Sequence, residues 1–336
     1  MGTEAEISKV EEIEVPKLTP DMLRLKNPGK ICQDIEAFIA EKVEELSRKG
    51  VALGLSGGVD SAVIAALSVR AVGSDKVLAL YMPEKDSKEK HRDDAWRIAD
   101  VLKINLETLD LSPTLENLGI YSLASMRLLR SFPTKRLQGW ISRKALSLIE
   151  SFTGKDPIAD SRQGSNNRFI AEGWAYASIK HRLRMAMLHF NADRQNLLTA
   201  GAANQTEWLT GVFVKFGIDG VADIMPILPF LKTEVRQLAK ELQLPQDIVE
   251  KAGDPDVAPG FNDKGSMFGS EETLDLVLLG LREGLSTEQI SAALDLEIKE
   301  VEKVHNLMKA SKHMRESPYI PQLSENYFSH NSIKQD

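Results

Sequence analysis

The hexapeptide Ser56-Gly57-Gly58-Val59-Asp60-Ser61 constrains this chain more than any other stretch. It joins two apolar runs that both require burial, Val51-Ala52-Leu53-Gly54-Leu55 before it and Ala62-Val63-Ile64-Ala65-Ala66-Leu67 after it. The first run is short and bounded by Gly50 and the glycine pair, which predicts a buried strand turning directly into a helix. Two adjacent glycines have no Cβ, so backbone N–H groups can approach an anion closely, and the helix start adds the positive end of its dipole. That combination is a cradle for phosphate or pyrophosphate. No Gly-Lys-Ser/Thr follows the turn and no G-x-G-x-x-G is present, so neither common nucleotide loop accounts for it. Asp60 stands where those loops carry a base or nothing. A carboxylate beside a phosphate is repelled unless a divalent cation lies between them, which makes Asp60 a candidate Mg²⁺ ligand. The alternative is an ordinary Ser-Gly-Gly loop with a helix-capping Asp.

With 336 residues, 42% of them apolar, the chain can bury a sizeable core as one large or two small domains. A net charge of −7 argues against general nucleic-acid binding, though not against a local basic patch. Cys32 is the single cysteine, which excludes a disulfide framework and a Cys-rich metal site and fits a reducing cytoplasm. The N-terminus is acidic and no apolar run approaches ~20 residues, so neither a signal peptide nor a spanning helix is expected.

Residues 1–28 read as a polar tail, poorly ordered or reaching to a neighbouring subunit, and residues 30–48 as an amphipathic helix. Val77 to Met82 predict a second buried strand, residues 88–102 a helix, and Leu106 to Leu111 a third strand. Strands alternating with helices give a doubly wound parallel sheet, with ligands at the strands' carboxyl ends. Residues 121–149 carry Arg127, Arg130, Lys135, Arg136, Arg143 and Lys144 and no acid, interleaved with Leu128, Leu129, Phe132, Trp140 and Ile141. Such a segment suits a membrane surface, an anionic partner or substrate phosphates, or simply a helical hairpin covering the fold. Residues 153–167 read as a mobile loop. Residues 169–190 predict a helix containing Arg182 and Arg184, suited to clamping phosphates or to surface ion pairs. Asn196 to Ala200 predict a fourth strand, after which Glu207 could share a metal with Asp60 or act only as a helix-start acid. Residues 286–310 predict a helical pair.

Ser-Gly-Gly-x-Asp-Ser resembles the pyrophosphate loop of N-type ATP pyrophosphatases. The order of later segments, Arg182-Leu183-Arg184-Met185, Glu207, Lys215 to Pro226 with its Asp219-Gly220, and Leu231-Lys232, resembles the ammonia-dependent NAD synthetase family. The basic tail Ser311 to Arg315 does too. The resemblance covers roughly residues 30–321 apart from the basic insertion. It implies one synthetase domain over 29–321 with a helical insertion at about 121–167, flanked by tails at 1–28 and 322–336. It further implies a homodimer, a substrate carboxylate adenylated by ATP, and ammonia displacing AMP, with nicotinic acid adenine dinucleotide (deamido-NAD) as the acceptor.

On the same footing, Ser56, Gly57, Gly58, Asp60, Ser61, Met82, Arg182 and Lys232 would bind ATP and its pyrophosphate, with Asp60, Asp219 and Lys232 as the catalytic residues. Asp60, Glu207 and Asp254 would ligate Mg²⁺, and Asp219 would lie near the ammonium site. A glutaminase needs a nucleophilic cysteine, and Cys32 precedes the nucleotide loop within a helix, so free ammonia or a separate glutaminase is the expected nitrogen source. Ala202, Tyr81, Ser87, Ser178, Asp254 and Lys264-Gly265 depart from the family pattern. They leave room for a second reading, the same chemistry on a different carboxylate. A third, a non-catalytic nucleotide- or partner-binding protein, is opposed by the intact Asp60, Glu207 and Lys232.

Overall fold

The computed structural model describes residues 17–154, 156–218, 220, 222–253 and 269–321. Four parallel strands, β1 (Val51–Gly54), β2 (Val77–Tyr81), β3 (Asn105–Thr108) and β4 (Leu198–Ala200), form a sheet in the order β3-β2-β1-β4. A parallel bridge from Ala200 to Ile224 extends it beyond β4. The helices before β4 are α1 (Pro28–Glu45), α2 (Val59–Val72), α3 (Glu89–Leu102), α4 (Ser112–Asn117), α5 (Ala124–Arg130), α6 (Lys135–Thr153), α7 (Pro157–Gln163) and α8 (Arg168–Gln195). Beyond β4 come α9 (Gln205–Thr210), α10 (Lys232–Glu241), α11 (Gln246–Val249), α12 (Glu271–Arg282), α13 (Thr287–Leu294) and α14 (Ile298–Ala310). The doubly wound α/β fold expected from the alternation is therefore the fold observed.

Alternate strand residues point to opposite faces. Val51, Leu53, Val77 and Ala79 pack with Ile39 of α1, Ile64 and Leu67 of α2 and Leu238 of α10. Ala52, Leu78 and Leu80 pack with Tyr176, Met185 and Leu188 of α8. Because helices cover both faces, β1 and β2 are apolar along their whole length instead of alternating. A third apolar cluster joins α12, α13 and α14 to Leu18 and Leu23.

That cluster corrects the expected tail. Leu18 and Leu23 are buried, and Gln237 receives Leu25 N (3.0 Å) while donating to Leu23 O (2.7 Å), so residues 17–27 are tied to the chain's own core although most of their side chains are exposed; residues 1–16 lie outside the described ones. Burying an isolated leucine contributes about 2 kcal/mol, enough to fix an otherwise polar segment. The loop expected at 153–167 contains α7: Pro157 occupies its first turn, and Asp156 Oδ1 accepts from Ile158 N (2.7 Å) and Ala159 N (3.2 Å). The third strand ends at Thr108, before Leu111, because Asp110 turns the chain by accepting from Ser112 N at 2.8 Å and α4 begins. Helix α8 runs on to Gln195, where Asn196 stops it in the left-handed conformation with φ 56°. The expected helical pair at 286–310 is α13 and α14.

Candidate active site

From β1 the chain builds outward to β2 and β3 on one side, then returns to place β4 on the other side of β1. Loops leaving the carboxyl ends of β1 and β4 diverge at such a switch and open a crevice between them. The loop after β1 is Ser56 to Ser61, and the turn after β4 leads to Asn204 and Glu207.

Gly57 has φ 78°, and a Cβ there would stand 2.5 Å from the His91 carbonyl oxygen, so only glycine fits the turn. Lys251 Nζ holds it from outside, donating to Gly57 O at 3.0 Å and to Asp94 Oδ2 at 2.7 Å. Within the loop, Ser61 Oγ accepts from Ser56 N (3.2 Å), and Ser56 Oγ accepts from Gly58 N (3.3 Å). The two hydroxyls lie 3.1 Å apart. They set the loop's shape while remaining at the mouth of the crevice.

Asp60, in the first turn of α2, pairs through Oδ2 with the ammonium of Lys232, the first residue of α10, and accepts from Asn204 Nδ2 through Oδ1 at 2.9 Å. Glu207 Oε1 lies 3.6 Å from the same ammonium. Burial acts to lower the Lys232 pKa, but the neighbouring Asp60 and then Glu207 carboxylates outweigh it, and the group is held above the ordinary lysine range. Lys232 is therefore a permanent cation near neutrality.

The turn after β4 has two functions at once. Asn204 and Glu207 form a capping box on α9, in which Asn204 Oδ1 accepts from Glu207 N (3.0 Å) and Glu207 Oε2 faces Asn204 N (3.4 Å). Glu207 is thus the helix-start acid through Oε2, while its Oε1 faces the Lys232 ammonium. Behind the cluster, Thr206 Oγ1 accepts from Lys232 N (2.8 Å) and donates to Asp275 Oδ1 (2.5 Å). Asp275 Oδ2 accepts from Thr233 N and Oγ1, both at 2.8 Å. Burial pushes the Asp275 carboxyl pKa up, against these hydrogen bonds. One buried carboxyl thus locks α9 and α10 to α12 and fixes where Lys232 emerges.

A cavity of about 1010 Å³ extends from this cluster. Ser56, Gly58, Asp60, Ser61, Met82, Glu207 and Lys232 line it, whereas Gly57 shapes the turn behind. Arg182 is exposed and donates to Lys215 O at 3.3 Å; its neighbour Arg184 lines the cavity instead and donates to Met82 O at 3.0 Å. Asp219 and Asp254 lie outside the described residues. Six lining lysines and arginines, Arg162, Arg184, Lys232, Arg236, Lys240 and Lys251, face four lining acids, Asp60, Glu207, Glu250 and Glu271. The chain is acidic, but this wall favours anions.

Asn204, Thr206, Arg236, Lys251 and Asp275 were not singled out from the sequence. The Asn-x-x-Glu capping signature could have marked Asn204. The others carry no local signal, since their partners lie far away in the chain.

Two carboxylates at the starts of α2 and α9, converging on one ammonium beside a glycine turn, suit Mg²⁺. This ion takes one or two carboxylates and completes its octahedron with water and substrate phosphates. Among the described residues no three His, Cys, Asp or Glu side chains form a group that could hold a metal.

The profile of the NAD synthase family matches residues 31–125 and 142–318. The chain belongs to the NAD synthase family. It is 36% identical over 287 residues to the NH(3)-dependent NAD(+) synthetase of Thermotoga maritima, spanning 85% of this chain and 97% of that one. It is 35% identical over 298 residues to the Thermotoga neapolitana synthetase, spanning 88% and 98%. Among solved structures it resembles the NMN synthetase from Francisella tularensis, with TM-score 0.63, 24% identity, and 88% of this chain and 99% of that one covered. As a member of this family the chain is an ATP-binding ligase, and the Ser56 to Ser61 loop lies at the crevice of the β1–β4 switch. Between the two matched stretches, residues 126–141 hold most of α5 and the start of α6, within the basic segment. Among the described residues no helix is long and apolar enough to cross a membrane.

Proposed function

We propose that this chain is an NH₃-dependent NAD synthetase that converts deamido-NAD, ATP and ammonia into NAD, AMP and pyrophosphate. The observation that carries the reading is the convergence of Asp60, Glu207 and Lys232 beside the glycine turn, in a chain of this family. In it, the acceptor carboxylate attacks the α-phosphorus of ATP, pyrophosphate leaves, and ammonia then displaces AMP from the acyl-adenylate. The Gly57-Gly58 turn, Ser56 and Ser61 receive the departing pyrophosphate, and Lys232 holds a fixed positive charge where negative charge builds up. Asp60 and Glu207 would hold Mg²⁺, which when bound neutralises phosphate charge. Met82 and Arg184 border the nucleotide, and Arg182 would reach phosphate only by exchanging its bond to Lys215 O. Asp219 would serve the ammonium site and Asp254 the metal, as the family pattern implies.

Ammonia is the favoured nitrogen donor for a structural reason. Cys32 is buried in α1, and burial, reinforced by Glu36, pushes its thiol pKa up to about 11, so it is a poor nucleophile for glutamine. A homodimer fits the exposed apolar side chains Leu137, Trp140, Leu148 and Phe152 on α6, and a cytoplasmic location fits the free cysteine.

The test measures AMP and pyrophosphate release from ATP, Mg²⁺ and ammonium, with and without deamido-NAD, using Asp60→Asn as the blank. Acceptor-dependent AMP release with NAD formation is expected, and glutamine should not replace ammonium. A protein that binds ATP but yields neither product with deamido-NAD would overturn the reading in favour of another carboxylate.

A further inference from the structure

The cavity has a far lobe that the phosphate chemistry does not use. Its walls come from α6 (Ser142 and Leu146), α7 (Pro157, Ile158, Ser161 and Arg162) and α8 (Phe169 and Trp174). Apolar and aromatic groups dominate there, and Arg162 is the lobe's permanent cation. The Arg162 Cζ lies 3.8 Å from the centroid of the Trp174 ring. A cation–π contact of this kind holds the charged head group against the aromatic face. Arg162 Nε is closed off from solvent and has no hydrogen-bond partner among the described residues. Burial pulls the Arg162 pKa down to about 10, only partly opposed by Asp156. That carboxylate is committed elsewhere, capping α7 through Oδ1 with Oδ2 3.4 Å from Lys303 Nζ. A buried guanidinium without a hydrogen-bonded anion is costly, and a cavity wall is where a ligand can supply that anion.

We infer that Arg162, held on Trp174, is a specificity-determining residue for the acceptor and binds a phosphate oxygen of it. The inference rests on the synthetase reading and deepens it. The reacting carboxylate must lie beside the ATP α-phosphate, so the anion offered to Arg162 is a phosphate of the acceptor's own ribose-phosphate portion. The acceptor class is accordingly a phosphorylated pyridine nucleotide, and a simple carboxylic acid or an unphosphorylated riboside would not engage this group. A guanidinium–phosphate pair is a charge-assisted, often bidentate contact, which lysine reproduces only as a point charge.

The test compares wild type with Arg162→Gln and Arg162→Lys. Initial rates are measured with deamido-NAD and with nicotinic acid riboside, and deamido-NAD binding is measured by calorimetry without ATP. Arg162→Gln should raise KM for deamido-NAD by about 10- to 100-fold, the range for a lost charged hydrogen bond. KM for ATP should stay within about 2-fold. Arg162→Lys should fall between the two, and the riboside should show no difference among the three proteins. Calorimetry should show the same loss of affinity as the kinetics. An unchanged acceptor KM and affinity in Arg162→Gln, or an equal loss with the riboside, would overturn the assignment. So would a rise in ATP KM matching the rise in acceptor KM, which signals a distorted fold. If wild type binds deamido-NAD in an Arg162-dependent way but makes no NAD, the synthetase reading fails while the assignment stands. If wild type does not bind deamido-NAD at all, both fail.

Discussion

Two buried lysines sit between pairs of carboxylates in this molecule, and they differ in almost everything else. Lys180 of α8 is 1% exposed and donates to Glu84 Oε1 at 3.0 Å and to Asp86 Oδ2 at 2.9 Å. Tyr121 OH closes on Glu84 Oε2 at 2.9 Å, Arg130 Nη2 on Asp86 Oδ1 at 2.9 Å, and Tyr176 OH on Asp86 as well. No oxygen of that cluster is left for a ligand, and Lys180, Glu84 and Asp86 do not line the cavity. Lys232 has Asp60 in contact but Glu207 at 3.6 Å, and all three line the cavity. A lysine flanked by acids therefore does not by itself mark a functional site. What separates the two is whether the polar shell is saturated and whether a substrate can reach it.

The sharpest test of that contrast is a matched pair of substitutions. Lys232→Met should lower kcat by about 100- to 1000-fold, as expected when a preorganised charge facing the transition state is removed. Its stability should change far less than that of the second variant. Lys180→Met should cost about 3–5 kcal/mol in urea unfolding, because it leaves Glu84 buried without its cation and Asp86 with Arg130 alone. The fraction that remains folded should turn over at close to the wild-type rate. The reverse pattern, a stable inactive Lys180→Met, would break the comparison.

A pH series sharpens it. Burial acts to raise the Asp86 pKa, but Lys180, the Tyr176 hydrogen bond and Arg130 outweigh it and hold the carboxyl below the usual aspartate value. A group depressed on folding stabilises the protein above its unfolded pKa, about 4 for aspartate, and loses that contribution as pH falls through the folded value. The stability gap between wild type and Lys180→Met should therefore narrow on acidification below about pH 4. Lys232 has the opposite sign. Its raised pKa gives a contribution complete below about pH 10 and lost only as pH rises further, so it should impose no alkaline limb on kcat between about pH 6 and 9.

Smaller effects should follow behind each lysine. Asp275→Asn should lower kcat about 10-fold and stability by about 1–3 kcal/mol, since it weakens the lock that positions Lys232. Tyr176→Phe should cost about 1–3 kcal/mol and leave turnover unchanged, since it removes a hydroxyl that donates to Asp86 and accepts from Arg130 Nη2 at 2.6 Å.

How much of this could be read in advance differs from segment to segment. The strand, glycine turn and helix around Ser56 to Ser61 are written in contiguous residues, because a buried parallel strand must be apolar throughout and a turn needing φ 78° at Gly57 must carry glycine. Asp60, Glu207 and Lys232 were identifiable as types at spaced positions. Helix α7 was hidden because its seven residues carry polar, loop-like composition, although Asp156-Pro157 is a recognisable start. Residues 17–27 looked like a tail because few of them, Leu18, Leu23 and Leu25, anchor the segment, and Leu18 and Leu23 meet partners mostly far away in the chain.

The sequence by itself determined the parallel α/β fold, the glycine turn after β1 and the family, since each depends on periodicity or on neighbours a few residues apart. Tertiary structure alone decided which charges meet. It joined Asp60 to Lys232 across 172 residues and Thr233 to Asp275 across 42, turned Arg184 instead of Arg182 toward the cavity, and laid Arg162 on Trp174. Side-chain encounters of this range follow from how helices pack on a finished sheet, and no local pattern encodes that packing.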